Sequence, residues 1–139
     1  MLRLSLFLLA TRLGAFAPNL DPVQWKLTGK PNQLILHASI AEHYKLYSLT
    51  KPKGGPIPLE IKVQETDWLP KIQPTQPNPA PTLTGEIDFK IPLHFAKPIP
   101  KEGLTLHVDL RYQSCSDEIC LPPTKRELEL KLLPANQVL

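Results

Sequence analysis

The chain contains two cysteines, Cys115 and Cys120, which are separated by four residues. They lie in the segment 112–123, which reads YQSCSDEICLPP. Two thiols at this spacing can form a disulfide within one loop, and such a bond either stabilises the loop or exchanges electrons with other thiols. Metal ligation is a third alternative, although four-sulfur zinc sites usually combine two close cysteine pairs and this chain has one.

The cysteine loop stands between two segments in which apolar residues recur at every second position. These residues precede the loop (Leu104, Leu106, Val108, Leu110 and Tyr112) and follow it (Leu128, Leu130 and Leu132). A period of two predicts β-strands. The loop is therefore predicted to connect neighbouring strands at one end of a sheet, where both sulfurs can come within bonding distance.

A disulfide across this loop would add little stability. It closes a ring of six residues, for which the chain-entropy argument gives about 2 kcal/mol. A bond across so short a loop can also be strained and easily reduced. The spacing alone leaves a structural bond and a redox site open in about equal measure.

The same segment resembles the N-terminal periplasmic domain of the DsbD family of protein-disulfide reductases and its stand-alone relatives. That family has a Tyr-Gln-x-Cys stretch, a short acidic insert and then Cys-x-Pro-Pro. Two further regions resemble it, namely residues 43–50 followed by 54–58, and residues 86–89 followed by Pro92. The resemblance spans roughly residues 21–133, and the loop between the cysteines is one residue shorter here than in the best-known member.

The resemblance implies a thiol–disulfide oxidoreductase whose catalytic residues are Cys115 and Cys120, with no cofactor. Cys120 matches the family residue that bonds to the partner, and Cys115 matches the resolving thiol. The partners implied are a membrane-embedded thiol transporter and periplasmic thioredoxin-like proteins, and we expect a monomer. The alternative is a non-enzymatic immunoglobulin-like binding module whose disulfide is structural. A copper-handling domain that uses the thiols and a histidine is a third reading.

Three aromatic residues are candidates for shielding the sulfurs. The resemblance places Tyr44 and Tyr47 near the cysteine loop, and Trp68 precedes a proline-rich segment, 69–81, which reads LPKIQPTQPNPAP. The composition of that segment predicts a stiff, solvated connection. The resemblance instead implies a cap loop that folds over the disulfide.

Two acidic residues, Asp117 and Glu118, stand between the cysteines. Negative charge beside a thiol disfavours the thiolate. We therefore expect the reduced pair to react slowly on its own and to exchange electrons with docked partners.

The first 17 residues predict a secretory signal. A basic start at residues 1–3 precedes a largely apolar stretch, and residues 15–17 read AFA, which is a typical cleavage site. A buried N-terminal helix is the alternative. No later stretch approaches the roughly 18 apolar residues of a membrane span. Residues 18–139 are therefore predicted to form one soluble domain in the periplasm.

Charge and histidine spacing argue against other classes of function. The formal net charge is +3, and removal of the signal with Arg3 and Arg12 lowers it to +1 because the signal contains no acid. This is unlike the basic surface of a nucleic-acid binder. No pair among the four histidines shows the spacing of metal ligands, so no metal site is expected.

Seventeen prolines in 139 residues argue against a helical protein, since an interior proline costs a helix about 3 kcal/mol. The prolines separate seven candidate strands: Val23–Leu27, Gln33–Ile40, Lys45–Leu49, Leu59–Gln64, Leu83–Ile91, Leu104–Tyr112 and Lys125–Leu132. Short strands divided by turn residues predict an all-β, antiparallel β-sandwich. The family resemblance implies the same architecture, an immunoglobulin-like fold.

Overall fold

A computed structural model describes residues 21–48, 55–69 and 81–134 of the chain. It has eight strands: β1 (Val23–Lys30), β2 (Gln33–Ile40), β3 (Leu46–Tyr47), β4 (Glu60–Val63), β5 (Thr82–Leu83), β6 (Glu86–Pro92), β7 (Leu104–Tyr112) and β8 (Thr124–Leu132). Nowhere in these ranges does a helix occur that is long and apolar enough to cross a membrane. The predicted signal at residues 1–17 and residues 70–80 of the proline-rich segment lie outside the described residues.

The predicted strands correspond to these elements, with one division. The predicted strand Leu83–Ile91 is two strands, β5 and β6, separated at Gly85. Gly85 has a φ of +71°, and this left-handed conformation interrupts an extended chain at little cost only at glycine. The predicted strand Lys45–Leu49 is shorter in the structure, where it is β3, and Leu49 falls outside the described residues.

Two three-stranded antiparallel sheets form a sandwich, one in the order β1-β2-β6 and the other in the order β4-β7-β8. Their inner faces are lined by alternate residues of β2 and β7, all of them buried: Leu34, Leu36, Ala38, Ile40, Leu106, Val108, Leu110 and Tyr112. Phe89 and Ile91 of β6 and Ile61 and Val63 of β4 complete this core. The predicted all-β, immunoglobulin-like antiparallel sandwich is confirmed.

The edge strands β1 and β8 belong to different sheets and pack against each other. A Cβ atom added at Gly29 would lie 2.8 Å from Cδ2 of Leu34 and 2.9 Å from Cδ2 of Leu130. Both contacts are too short for a side chain unless its neighbours shift. Glycine at this position therefore allows the close approach of the two edges.

The strand register defines two ends of the sandwich. The cysteine end contains the loop between β7 and β8, the start of β1 and the end of β2. The far end contains the turn between β1 and β2, the connection 93–103 and the turn Thr66–Leu69. β7 joins the two ends with nine residues, which corresponds to roughly 27 Å. The strands β3 and β5 form a separate pair at the cysteine end.

Candidate functional site

A small antiparallel ribbon at the cysteine end positions both cysteines. The backbone N–H of Lys45 donates to the carbonyl of Cys115 at 2.9 Å, and the N–H of Cys115 donates to the carbonyl of Lys45 at 3.0 Å. On its other side Cys115 pairs with Cys120. The chain continues from Lys45 into β3, which pairs with β5. Cys115 therefore occupies an inner position in the ribbon, and Cys120 occupies the next position outward.

The two cysteines are joined in a disulfide, and their Cα atoms are 4.0 Å apart. They form a non-hydrogen-bonded pair, because the ribbon's hydrogen bonds lie on either side of them. The N–H of Leu121 donates to the carbonyl of Ser114 at 2.8 Å, and the N–H of Ser116 donates to the carbonyl of Ile119 at 2.7 Å. Residues in such pairs approach more closely than hydrogen-bonded ones. The prediction that the loop brings both sulfurs within bonding distance is confirmed.

The two cysteines differ in their exposure. Cys115 is 1% exposed, whereas Cys120 belongs to the exposed residues of the loop. The difference follows from their places in the ribbon, since Cys115 has a strand on each side. A partner protein can therefore approach Cys120, while Cys115 is covered by the domain itself.

Gln113 fixes the base of the loop through its side-chain amide. Its Oε1 accepts a hydrogen bond from the N–H of Ile57 at 3.1 Å, and its Nε2 donates to the carbonyl of Leu121 at 3.1 Å. The amide thus links the segment before β4 to the residue that follows Cys120. Two backbone groups would lose these partners if the amide were removed.

Ser116 fixes the tip of the loop. Its Oγ accepts hydrogen bonds from the N–H groups of Glu118 at 3.2 Å and Ile119 at 3.1 Å. A serine hydroxyl that satisfies backbone donors two and three residues later is typical of a tight turn. The turn therefore holds its shape without contributing a side chain to the core.

Tyr112 anchors the end of β7 below the loop. Its ring is fully buried and packs against Trp25, with the ring centroids 5.1 Å apart. Its hydroxyl donates a hydrogen bond to the carboxylate of Asp21, which also accepts one from Nη2 of Arg126 at 2.7 Å. Burial and the bond to Asp21 raise the pKa of the Tyr112 hydroxyl. The tyrosine therefore stays a neutral donor, and it connects three strands at the cysteine end.

The structure brings both predicted shielding tyrosines to the cysteine end. Tyr47 is half-buried in β3, two residues after Lys45. Because side chains alternate along a strand, Tyr47 shares a face with Lys45, and paired residues of an antiparallel ribbon share a face as well. Tyr47 and Cys115 consequently lie on the same face. Tyr44 is half-buried against the core. That the two tyrosines shield the sulfurs stays a prediction.

Trp68 lies at the far end of the sandwich and is not brought to the disulfide. Its carbonyl accepts a hydrogen bond from the N–H of Ala96 at 2.8 Å, and Nζ of Lys97 is 5.0 Å from the centroid of its ring. Leu69 and Pro81 are the described residues on either side of the rest of the proline-rich segment, and the carbonyl of Pro81 accepts the N–H of Ser48 at 3.0 Å at the cysteine end. Residues 70–80 lie outside the described part of the chain, so the cap also stays a prediction.

The acidic residues Asp117 and Glu118 are both exposed on the turn between the cysteines. Their expected effect on the thiolate stays a prediction. An open groove of about 510 Å³ runs beside the loop, and its lining includes His43, Tyr44, Lys45, Gly85 and Asp117. His43 has a φ of +71°, which is uncommon outside glycine, although histidine adopts it more readily than most residues. The groove is open to solvent and borders the cysteine loop.

One cluster of metal-ligating residues appears among the described residues, and it contains neither cysteine. His107, Glu127 and Glu129 each offer one ligand atom, and these atoms lie within 4.8 Å of one another on the outer face of β7 and β8. Histidine spacing in the sequence gives no signal for this cluster, because it forms only when the β7–β8 pairing brings His107 opposite Glu129. Nδ1 of His107 lies 3.3 Å from Oε1 of Glu129. Both glutamates are exposed, so the arrangement is that of a surface ion-pair cluster, and we assign no ligand to it.

Sequence reasoning missed the residues that position the loop, above all Gln113, Ser116 and Asp21. A serine followed by two acidic residues is a recognisable turn signal, so Ser116 could have been found from the sequence. Gln113 belongs to the Tyr-Gln-x-Cys stretch, but its position continues the polar side of β7, and nothing in the sequence pairs its amide with Ile57 and Leu121. Asp21 lies 91 residues from its partner Tyr112, and no local pattern connects them.

An exposed and a buried cysteine, bonded across a hairpin at the end of a β-sandwich, form the kind of pair that a thiol–disulfide exchange domain needs. The family model of the N-terminal domain of the thiol:disulfide interchange protein DsbD matches residues 16–132. This match covers most of the chain, which therefore belongs to the DsbD N-terminal domain family.

Three solved structures are similar to this chain at low sequence identity. The N-terminal periplasmic domain of ScsB from Proteus mirabilis is 20% identical with a TM-score of 0.58, over 86% of this chain and 51% of that one. The reduced DsbD N-terminal domain of Neisseria meningitidis is 16% identical with a TM-score of 0.49, over 84% of this chain and 90% of that one. The complex between the DsbD and PilB N-terminal domains of the same organism is 15% identical with a TM-score of 0.49, over 88% of this chain and 95% of that one. No curated protein matches the chain.

Proposed function

We propose that this domain works in the periplasm and carries two electrons on Cys115 and Cys120. It accepts them from a membrane-embedded thiol transporter and passes them to oxidised thioredoxin-like proteins. The observation that carries the proposal is the unequal exposure of the two cysteines within one hydrogen-bonded ribbon. A bond that only stabilised the fold would not require an exposed cysteine. The family match supports thiol–disulfide chemistry.

Delivery of the electrons takes two displacement steps. The Cys120 thiolate attacks one sulfur of the partner's disulfide, which forms a mixed disulfide and releases the partner's second sulfur as a thiolate. The Cys115 thiolate then attacks Sγ of Cys120, which forms the Cys115–Cys120 bond and releases the partner's first sulfur. The partner gains two electrons and the domain loses two. The transporter recharges the domain by the reverse sequence.

The ribbon favours the second step because it keeps Cys115 beside Cys120. The hydrogen bonds Leu121 N–H to Ser114 and Ser116 N–H to Ile119 involve only backbone atoms. They do not depend on the bond between the sulfurs, so we expect the reduced loop to retain its pairing. The attack by Cys115 is then intramolecular and oriented, which is the condition for a high effective concentration.

Shielding completes the proposed relay. Tyr47 shares a face with Cys115, and Tyr44 packs against the core nearby. In our proposal the two aromatic rings limit the access of small oxidants, while Cys120 stays accessible to a protein. The charges of Asp117 and Glu118 disfavour the free thiolate, so exchange depends on a docked partner.

The reduction potential of the Cys115–Cys120 couple tests this function against a non-enzymatic binding module with a structural disulfide. Structural bonds have potentials below about −300 mV, and thiol–disulfide oxidoreductases lie at about −120 to −270 mV. We expect a value in the second range, measured by equilibration with glutathione or dithiothreitol buffers. We also expect the reduced domain to stay folded, because the small ring accounts for about 2 kcal/mol. A value below −300 mV would support the binding module instead.

A further inference from the structure

We propose that Ile119 is a docking contact through which Cys120 selects its protein partners, and that it fits an apolar patch directly beside the partner's reactive cysteine. The inference rests on the proposed function, since it concerns the protein that forms the mixed disulfide. Ile119 is 57% exposed, and in ranges 21–48, 55–69 and 81–134 it is the one large hydrophobic residue on the exposed surface. It directly precedes Cys120.

The exposure of Ile119 is imposed by the hydrogen bonds of the turn. Its N–H donates to Oγ of Ser116 at 3.1 Å, and its carbonyl accepts the N–H of Ser116 at 2.7 Å. Both polar groups of its backbone are thus bonded to the same residue. If the backbone rotated to turn the side chain inward, these bonds would break. The turn therefore keeps the apolar side chain of Ile119 on the surface.

A mixed disulfide brings the partner's surface onto this residue. The bond between Sγ of Cys120 and the partner's sulfur is about 2.05 Å long, so groups around the partner's cysteine meet the neighbours of Cys120. Contact with an apolar patch removes the exposed surface of Ile119 from water, which favours binding. A polar patch would lose its hydration without gaining a hydrogen bond. Ile119 therefore favours partners whose reactive cysteine is bordered by apolar residues.

The charges on the same turn further restrict which partner proteins can dock. Asp117 and Glu118 are exposed directly before Ile119. Like charges opposed across an interface cost binding energy, and they reject wrong partners. The partner that fits is a thioredoxin-like protein with an apolar patch beside its cysteine and no acidic residues next to that patch.

The test compares two oxidants of the reduced domain, an oxidised thioredoxin-like domain and oxidised glutathione. In stopped-flow experiments, Ile119→Ala should lower the rate constant for exchange with the thioredoxin-like domain about tenfold, which corresponds to about 1.4 kcal/mol. The rate with glutathione should not change, because a small disulfide makes no such contact. Ile119→Leu, which keeps an apolar side chain, should retain both rates.

Ile35→Ala is the matched control. Ile35 is a half-buried isoleucine of β2 that pairs with Thr28 and Lys90, and its replacement should leave both rates unchanged. A normal rate of Ile119→Ala with the thioredoxin-like domain would overturn the docking role and leave the proposed function standing. Equal slowing with both oxidants would also overturn it, because the effect would then lie in the thiols. Wild-type domain that exchanges with glutathione but not with the thioredoxin-like domain would remove the proposed function itself.

Discussion

At the far end of the sandwich, apolar side chains close the core, whereas at the cysteine end polar side chains hold a loop in place. Leu69 is fully buried and Leu93 is 4% exposed at the far end. At the cysteine end, the side chains of Gln113 and Ser116 bond to backbone groups of the loop. Cys120 and Ile119 remain exposed there.

The difference shows how the same fold can bury its side chains at one end and leave side chains accessible at the other. Burial of apolar side chains stabilises a structure but removes those side chains from contact with partners. Hydrogen bonds to the backbone fix a loop without covering it. The cysteine end can therefore leave Cys120 and Ile119 exposed to solvent, while stability comes from the core and the far end.

The largest effect on stability should follow from truncating a buried side chain at the far end. Leu93→Ala removes a buried side chain and should lower the free energy of unfolding by about 2–5 kcal/mol. The rate at which the reduced domain exchanges with oxidised glutathione should not change, because the loop is held by its own hydrogen bonds. Urea denaturation and stopped-flow exchange measure the two quantities. Slower exchange by a folded Leu93→Ala domain would show that the two ends are coupled.

A smaller loss of stability, together with a change in the reduction potential, should follow from removing the hydrogen bonds that hold the cysteine loop. Gln113→Ala leaves the N–H of Ile57 and the carbonyl of Leu121 without their partner, which should cost about 1–3 kcal/mol. A looser loop holds the thiols less closely, so the disulfide forms less favourably. The reduction potential should rise by about 10–30 mV, since 30 mV corresponds to about 1.4 kcal/mol.

Gln64→Ala provides the matched control for this change. Nε2 of Gln64 donates to Oδ2 of Asp109 at 3.2 Å, a side-chain pair on the sheet away from the cysteine loop. Its removal should leave the reduction potential unaltered. If both variants shift the potential equally, or neither does, then Gln113 has no special role in the loop.

Two aromatic substitutions compare the ends directly. Tyr47→Ala should speed alkylation of the reduced thiols by iodoacetamide severalfold, because it removes a ring from the face that carries Cys115. Trp68→Ala should not change the alkylation rate, because Trp68 lies at the far end. Mass spectrometry over time gives both rates. A faster reaction in Trp68→Ala alone would favour the sequence-based prediction that this tryptophan helps to shield the sulfurs.

The smallest effect concerns a charge cluster on the outer face of β2 and β6. The ring N–H groups of protonated His37 donate to Asp88 and to Glu86, and these bonds raise the pKa of His37 above 6.5. Hydrogen bonds from Ser39 and His37 lower the pKa of Glu86 below 4.5. The raised pKa of His37 means that its protonation stabilises the fold below pH 6.5, and this stabilisation is lost as the pH rises through the pKa of the folded state. The lowered pKa of Glu86 means that its ionised form stabilises the fold above pH 4.5, and this stabilisation is lost as the pH falls through the pKa of the folded state.

The difference in melting temperature between wild type and His37→Gln should therefore be largest at pH 4.5–6.5 and shrink towards higher pH. The effect should be small, because exposed ion pairs contribute little. His94→Gln, at an exposed position after β6, serves as the control for replacing a histidine on the surface. A pH-independent difference for His37→Gln would mean that its charge does not contribute.

Local patterns in the sequence predicted the strands well and long-range pairing poorly. The predicted strand Leu104–Tyr112 has the bounds of β7, and Lys125–Leu132 differs from β8 by one residue. Both predictions succeed because the alternation of apolar and polar residues is visible within each strand's own sequence. The position of Trp68 depends on how β4 pairs with β7. Since β4 runs away from the cysteine loop along β7, the residues after it reach the far end.

The candidate site shows the same difference between local patterns, which the sequence reveals, and long-range pairing, which it does not. Its two cysteines were evident from the sequence, because a short loop between alternating strands must bring them together. The order of the ribbon was not evident, since it depends on the pairing of Lys45 with Cys115, 70 residues later. That pairing makes Cys115 the inner cysteine, and the exposure of Cys120 follows from it.

Trapping of mixed disulfides tests the central claim, that Cys120 bonds to the partner and Cys115 resolves the bond. Each single variant, Cys115→Ser and Cys120→Ser, is mixed in its reduced form with a thioredoxin-like domain that keeps only its first active-site cysteine, activated as a mixed disulfide with thionitrobenzoate, and the products are separated without reductant. We expect Cys115→Ser to displace thionitrobenzoate and accumulate a stable mixed disulfide through Cys120, because neither protein then retains a resolving thiol. Cys120→Ser should trap far less, because Cys115 is covered. Equal trapping by both variants, more trapping by Cys120→Ser, or none by either would contradict the claim.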